Sequence, residues 1–174
     1  MYNGLRLGEK SIRRINMKIA IFYGSTTGTT EMVAGKVGEL LGAEVLSATD
    51  IDRVENYDFV IFATSTWGMG ELQDDWYGAL DKLKDKNLSG KRVGLIGIGD
   101  QFGFGDTFVD GIGIIYNEIK DKGIELVGKT STDGYSFNDS RAVVDGEFVG
   151  LVIDENNQSE LTDERIKTWI EMVK

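Results

Sequence analysis

The chain has 174 residues, the size of one domain with room for a substantial core. It contains no cysteine and no histidine, which excludes disulfides, thiolate nucleophiles, zinc–thiolate sites and iron–sulfur ligation by its own side chains, and removes the commonest general base. A formal net charge of −10 repels nucleic acid and anionic membranes, and any redox chemistry must come from a bound organic cofactor.

In chain order, residues 1–16 carry Arg6, Lys10, Arg13 and Arg14 against Glu9, and lack the apolar stretch of a signal-peptide core. They break up the pattern that begins at Met17, so we expect a disordered N-terminal extension over 1–16 and a folded domain over 17–174. That domain holds 15 basic and 28 acidic residues, a net of −13. Such a surface steers a protein towards basic partners, although acidity also serves solubility alone. No run approaches the roughly 18 apolar residues of a membrane helix. We expect a cytoplasmic monomer.

Lys18-Ile19-Ala20-Ile21-Phe22-Tyr23 is a near-continuous β-prone run, the mark of a strand buried on both faces. A Gly/Thr loop follows, then apolar residues at helical spacing over 31–41, stopped by Gly42. Residues 44–47 read as a short second strand and 58–64 as a buried third. The helix expected over 73–83 presents Trp76, Ala79, Leu80 and Leu83 on one stripe. A fourth strand over 91–98 precedes a helix over about 107–122, capped by Gly123. A fifth strand begins over 124–130, and 161–173 make a final amphipathic helix. Between 131 and 154 the alternation fails: an aromatic-polar stretch at 135–140, a turn at Asp145-Gly146 and a β-prone run over 147–153 indicate that strand five is interrupted by an inserted loop and hairpin, then resumes.

This order specifies an α/β fold: a three-layer, doubly wound, five-stranded parallel sheet in the order 2-1-3-4-5. Ligands of such sheets bind beyond the carboxyl ends of the strands where the winding reverses, so the loops after strands one, three and four should meet there. The first, Gly24-Ser25-Thr26-Thr27-Gly28-Thr29-Thr30, runs into a helix N-terminus and is rich in hydroxyls. That is a phosphate cradle, or a capped turn; it has neither the Gly-Lys-Ser/Thr ending of a Walker A loop nor the G-x-G-x-x-G dinucleotide pattern. The second, Ser65-Thr66-Trp67-Gly68-Met69-Gly70-Glu71-Leu72, and the third, Gly97-Ile98-Gly99-Asp100-Gln101-Phe102-Gly103-Phe104-Gly105-Asp106, set aromatics among glycine and acid. Singly these are surface aromatics; together they would edge one crevice with flat faces suited to a planar heterocycle.

At these residues the sequence resembles flavodoxins, specifically the long-chain group, from Met17 to Val173. The pattern Gly-x-x-Thr-Gly-x-Thr stands at 24–30, Thr-Trp-x-x-Gly-Glu-Leu-Gln at 66–73, and Gly-x-Gly-Asp-Gln at 97–101. Ser-Thr-Asp-Gly-Tyr at 131–135 and Phe-Val-Gly-Leu-x-x-Asp-Glu-x-Asn-Gln at 148–158 bracket the insertion. The resemblance implies flavin mononucleotide (FMN) held at its phosphate by Ser25, Thr26, Thr27, Gly28, Thr29 and Thr30. Trp67 would flank the ring, with loop backbone near Ser65, Thr66, Gly68, Gly99 and Asp100 at its edge, and Asn156 near the ribityl hydroxyls. Phe104 stands where many long-chain members carry a stacked tyrosine, and Phe102 is the other candidate for that place. Thr29 stands where relatives often carry lysine, leaving the phosphate without a formal positive partner.

The same resemblance implies a low-potential one-electron carrier that shuttles electrons between larger redox enzymes and turns over no substrate of its own. Desolvation and like charge in an acidic protein disfavour the second electron on the ring, and Gly68 would tolerate a backbone flip that offers its carbonyl to the reduced ring. Glu71, Asp74, Asp75, Asp100 and Asp106 would steer redox partners with basic docking surfaces, or form a solvated rim. The alternative is a flavin-dependent quinone or nitro reductase of the same fold, which would consume NADPH on its own.

Overall fold

The computed structural model describes residues 17–174; the extension expected over 1–16 lies outside the described residues. The chain runs β1 (Ile19–Gly24), α1 (Thr29–Leu41), β2 (Glu44–Ser47), a 3-10 stretch (Ala48–Asn56), β3 (Phe59–Trp67), β4 (Glu71–Leu72), α2 (Asp75–Lys84) and β5 (Arg92–Ile98). It continues through α3 (Asp110–Ile119), β6 (Glu125–Leu126), β7 (Thr130–Ser131), β8 (Val143–Val144), β9 (Glu147–Phe148), β10 (Leu151–Ile153), α4 (Glu155–Gln158), a single 3-10 turn (Ser159–Leu161) and α5 (Thr162–Val173).

The main sheet has the order β2-β1-β3-β5-β10, all parallel. These are the five positions the sequence specifies, in the expected order. Alternate side chains of the strands serve opposite layers, as the pleat dictates. Phe22, Phe62 and Leu95 join Trp76 and Leu83 of α2 and Ile112 and Ile115 of α3 in one core. Ile21, Ile61 and Ile96 join Val33 and Val37 of α1 and Trp169 and Ile170 of α5 in the other. Each fully buried aliphatic or aromatic side chain contributes about 1.5–3 kcal/mol. Both buried indoles also find an acceptor: Trp76 Nε1 donates to the Ala63 carbonyl at 2.9 Å and Trp169 Nε1 to Gly128 at 2.8 Å.

The fifth position is filled in two pieces. β6 pairs with Arg92 and Val93 at the start of β5, and β10 with Ile96–Ile98 at its end. The chain between them carries the expected insertion, a small antiparallel sheet β7-β9-β8. The run 147–153, expected as one strand, is divided: Glu147–Phe148 belongs to the small sheet and Leu151–Ile153 to the main one. Gly150 makes the transfer possible, because a Cβ there would lie 2.1 Å from the Leu95 carbonyl oxygen. Only a residue without a side chain lets the two backbones approach so closely.

Three further elements differ from the sequence expectation. Residues 48–56, to which the sequence assigned nothing, form a 3-10 stretch that buries Ala48, Ile51 and Val54; the spacing of three places the last two on one side. The second loop is largely strand, since β3 runs to Trp67 and pairs back with β4 through Thr66–Leu72 and Trp67–Glu71. The helix expected from 107 starts at Asp110, because Val109 adopts φ +48°, a left-handed conformation that costs a non-glycine residue about 1–3 kcal/mol.

Replacing Gly150 by alanine should lower stability by about 1–3 kcal/mol or more, because backbone rather than a flexible side chain must yield. Urea unfolding measures it; an unaltered midpoint would show that β10 and β5 are not held this closely.

Candidate functional site

The three loops leave the sheet at one level. Gly24 of β1 stands opposite Thr64 of β3, and Thr64 opposite Gly97 of β5. Between the loops is a cleft whose first wall is Thr27, Thr29 and Thr30, and whose second is Ser65, Thr66 and Trp67. Ile98, Gly99, Asp100 and Phe104 form the third, and Glu155 and Asn156 of α4 close it. Of the residues the sequence singled out, Ser25, Thr26, Gly28 and Gly68 lie outside this lining, in the loops themselves.

At the first wall, Gly28 caps α1 in a left-handed conformation, φ +92°. Ser25 and Thr26 are engaged in building the loop: Ser25 Oγ accepts from the Gly28 N–H at 3.0 Å, and Thr26 Oγ1 from Gln73 Nε2 at 3.2 Å. Gln73 is buried, and its Oε1 accepts from the Asp75 N–H at 2.9 Å, so it ties the first loop to the start of α2. The first intrahelical bond runs from Met32 N to Gly28 O at 3.0 Å, leaving the N–H groups of Thr29, Thr30 and Glu31 without a helical acceptor. Free donors and the helix dipole make this end receptive to an anion.

At the second wall, Trp67 is 39% exposed, and its Nε1 donates to Ser65 Oγ at 2.8 Å, folding the indole back along the strand. Thr66 Oγ1 accepts from the Gly111 N–H of α3 at 2.9 Å. Gly68 and Gly70 turn the hairpin with φ of +53° and +91°.

The third wall is held by two carboxylates. Asp154, fully buried, accepts from the Gln101 N–H at 3.1 Å, from Gln101 Nε2 at 2.7 Å and from the Asn157 N–H at 3.0 Å. Asp100 Oδ1 accepts from the N–H groups of Gly103 at 2.8 Å and Phe102 at 3.2 Å and from Asn157 Nδ2 at 2.8 Å; its Oδ2 accepts from Asn156 Nδ2 at 3.1 Å. The Gly103 N–H above all, then the two asparagine amides and the Phe102 N–H, hold the Asp100 carboxyl below its ordinary value, against a smaller opposing effect of burial. Of the two candidate phenylalanines, Phe104 lines the cleft, whereas Phe102 is 70% exposed and lies outside it.

Sequence reasoning missed Ile98 and Glu155 in the lining and the Gln101–Asp154–Asn157 clamp beneath it. The one legible signal was Asp154 before Glu155, an acceptor at a helix N-cap. The cleft is lined by Asp100 and Glu155 and by no lysine or arginine among the described residues. A larger cavity of about 540 Å³ lies between α5 and the inserted segment, but its wall includes none of the three loops; converging loops and paired aromatics favour the smaller cleft. No group of three or more His, Cys, Asp or Glu residues able to hold a metal occurs among the described residues, and no described helix is long and apolar enough to cross a membrane.

Comparison with known proteins agrees with this geometry. A family described as Flavodoxin matches residues 21–169. A flavodoxin of Nostoc sp. is 45% identical over 165 residues, covering 92% of this chain and 97% of the relative. Flavodoxin 2 of Escherichia coli is 42% identical over 164 residues, covering 90% and 95%. Among solved structures, Fusobacterium nucleatum flavodoxin bound to flavin mononucleotide superposes with a TM-score of 0.85 at 36% identity, covering 89% of this chain and 95% of that one.

The bonding around Asp100 has a pH signature. Its folded carboxyl releases its proton more readily than the unfolded one, so the contribution to stability is present above about pH 4 and is lost as pH falls through the folded value. An NMR titration should place the Asp100 midpoint below 3.8; a midpoint above that value would mean the 100–103 turn is not bonded as described.

Proposed function

The chain belongs to the flavodoxin family, and from that premise we propose that the cleft holds one FMN non-covalently and that the protein is a low-potential one-electron carrier between larger redox enzymes. The observation that carries this is the cleft's two-ended chemistry, with threonine hydroxyls and helix N–H groups at one end and the Trp67 and Phe104 rings at the other. This donor set fits the group: a phosphate needs hydrogen-bond donors, a flat ring needs aromatic walls, and both stand in one crevice.

When bound, FMN supplies reversible one-electron chemistry at its ring. Thr27, Thr29, Thr30 and the first-turn N–H groups of α1 would take the phosphate without a cation. Trp67 and Phe104 would exclude water from the ring, which strengthens every charge effect there. Because Asp100 and Glu155 line the same cleft, added negative charge is opposed and the potential is driven down. Around Gly68 there is space for rearrangement: a Cβ there would meet nothing closer than the Glu71 carboxyl group at 3.7 Å. Its peptide can therefore turn to offer the carbonyl as acceptor to a ring N–H.

The rim suits passing contact with a partner. Trp67, Met69, Phe102 and Phe104 are exposed there, near Glu71, Asp74 and Asp106. Basic surfaces on redox proteins complement that pattern. We infer that the protein acts as a cytoplasmic monomer with no catalytic turnover of its own.

Titrating the apoprotein with FMN tests the proposal. One equivalent should bind, and Phe104→Ala should weaken it about three- to tenfold, the scale of one aromatic pair, while Phe102→Ala leaves it within error. The reverse pattern would assign the outer ring to Phe102. Replacing Gly68 with valine should narrow the gap between the two one-electron midpoint potentials; an unchanged gap would count against the turning peptide.

A further inference from the structure

The N-terminus of α3 is a buried wedge between the second and third walls of the cleft. On one side, Val109 and Phe108 press against Gly99: a Cβ at Gly99 would lie 2.8 Å from Val109 Cγ1 and 3.0 Å from Phe108 Cε1. On the other side, the Gly111 N–H donates to Thr66 Oγ1, and the Asp110 carboxylate packs against Gly70, where a Cβ would lie 2.6 Å from Oδ2. The wedge is strained, with the β-branched Val109 left-handed, so something must hold it.

What holds it is the inserted segment. The Phe108 N–H donates to the Asp139 carbonyl at 3.2 Å, the Ser140 hydroxyl donates to the Phe108 carbonyl, and the Arg141 N–H donates to Asp110 Oδ1 at 2.7 Å. Asp110 thus touches both the insertion, at Oδ1 and more distantly at Oδ2, and the 68–70 hairpin, at Oδ2.

We propose that Asp110 is a positioning residue for the cleft: its buried carboxylate transmits the anchorage of the inserted segment to the 68–70 turn and fixes where that turn stands over the ring. The residue lies outside the cleft lining and acts through Gly70. The inference rests on the cleft being the FMN site. Its carboxyl is pushed above the ordinary carboxylate value by burial, opposed by the Arg141 N–H and guanidinium and assisted by the Asp139 carboxylate. Those two residues are the charged groups facing it from the insertion; the hairpin presents the uncharged Gly70 and Thr66, with the Glu71 carboxylate near Gly68.

The experiment measures the FMN dissociation constant of wild-type and Asp110→Asn apoprotein by flavin fluorescence quenching across a pH series. Asparagine keeps the shape but not the charge, so FMN should bind about two- to tenfold more weakly at neutral pH, the scale of one hydrogen bond. The ratio of the two constants should fall towards one as pH drops and wild-type Asp110 takes up its proton. Equal constants at neutral pH, or a ratio that does not change with pH, would overturn the inference; wild-type apoprotein that takes up no FMN would instead overturn the function on which it rests. Should the asparagine variant not fold, Arg141→Ala serves, because that side chain is 68% exposed and its guanidinium lies 3.8 Å from Oδ2. Without that positive charge Asp110 protonates more easily, so the acid weakening of FMN binding should move to higher pH. An unmoved limb would again refute the role.

Discussion

Parallel pairing is the constraint that generates the other features of this structure. A parallel strand cannot return by a tight turn, so each connection crosses a face of the sheet and the strands all end at one edge. β1, β3 and β5 are neighbours in that sheet, and their ends are in register at Gly24, Thr64 and Gly97. Three loops far apart in sequence are thereby forced side by side. The buried faces of α1 and α5 on one side and α2 and α3 on the other keep the sheet from shifting, since a one-residue slip would turn Phe22, Phe62 and Leu95 to the wrong layer.

The cleft that results is acidic protein built around uncharged donors. Of its two lining carboxylates, Asp100 binds its own turn and the two asparagines, and beneath the lining the buried Asp154 clamps Gln101 to α4. An FMN phosphate would be met by N–H groups and hydroxyls rather than by lysine or arginine. Binding of that kind would leave the phosphate without a formal positive partner, and uncompensated charge in the same cleft would oppose reduction of the ring. On the proposed reading, binding and potential would be two consequences of one choice of side chains.

The inserted segment is more than a surface elaboration. Gly150 passes the chain from the small antiparallel sheet into the main one, and residues 139–141 grip the strained start of α3. That helix start lies between the second and third walls, so the insertion and the cleft share a boundary through Phe108, Val109 and Asp110. Packed interiors transmit small displacements, because no void absorbs them. Residues 139–141 thus reach the boundary of the cleft although they belong to none of the loops that line it.

Read alone, the sequence determined the layer architecture, the strand order, the interruption of strand five and most of the cleft lining. Hydrophobic periodicity reports which face each element buries, and the glycine, threonine and aromatic residues of the three loops have no periodic role to hide behind. It did not reveal that Ser25 and Thr26 are engaged in building the first loop, that the second loop is a hairpin, or that Phe104 rather than Phe102 faces the cleft. Nor did it reveal Asp110, an ordinary acid near a helix start until the fold sets it between Arg141 and Gly70. Two of those facts depend on partners distant in the chain: Gln73 for Thr26, and Arg141 and Gly70 for Asp110. Local pattern carries the energy of burial, which each residue contributes largely by itself; hydrogen-bond partners and close approaches are properties of pairs, and only the folded chain brings the pairs together.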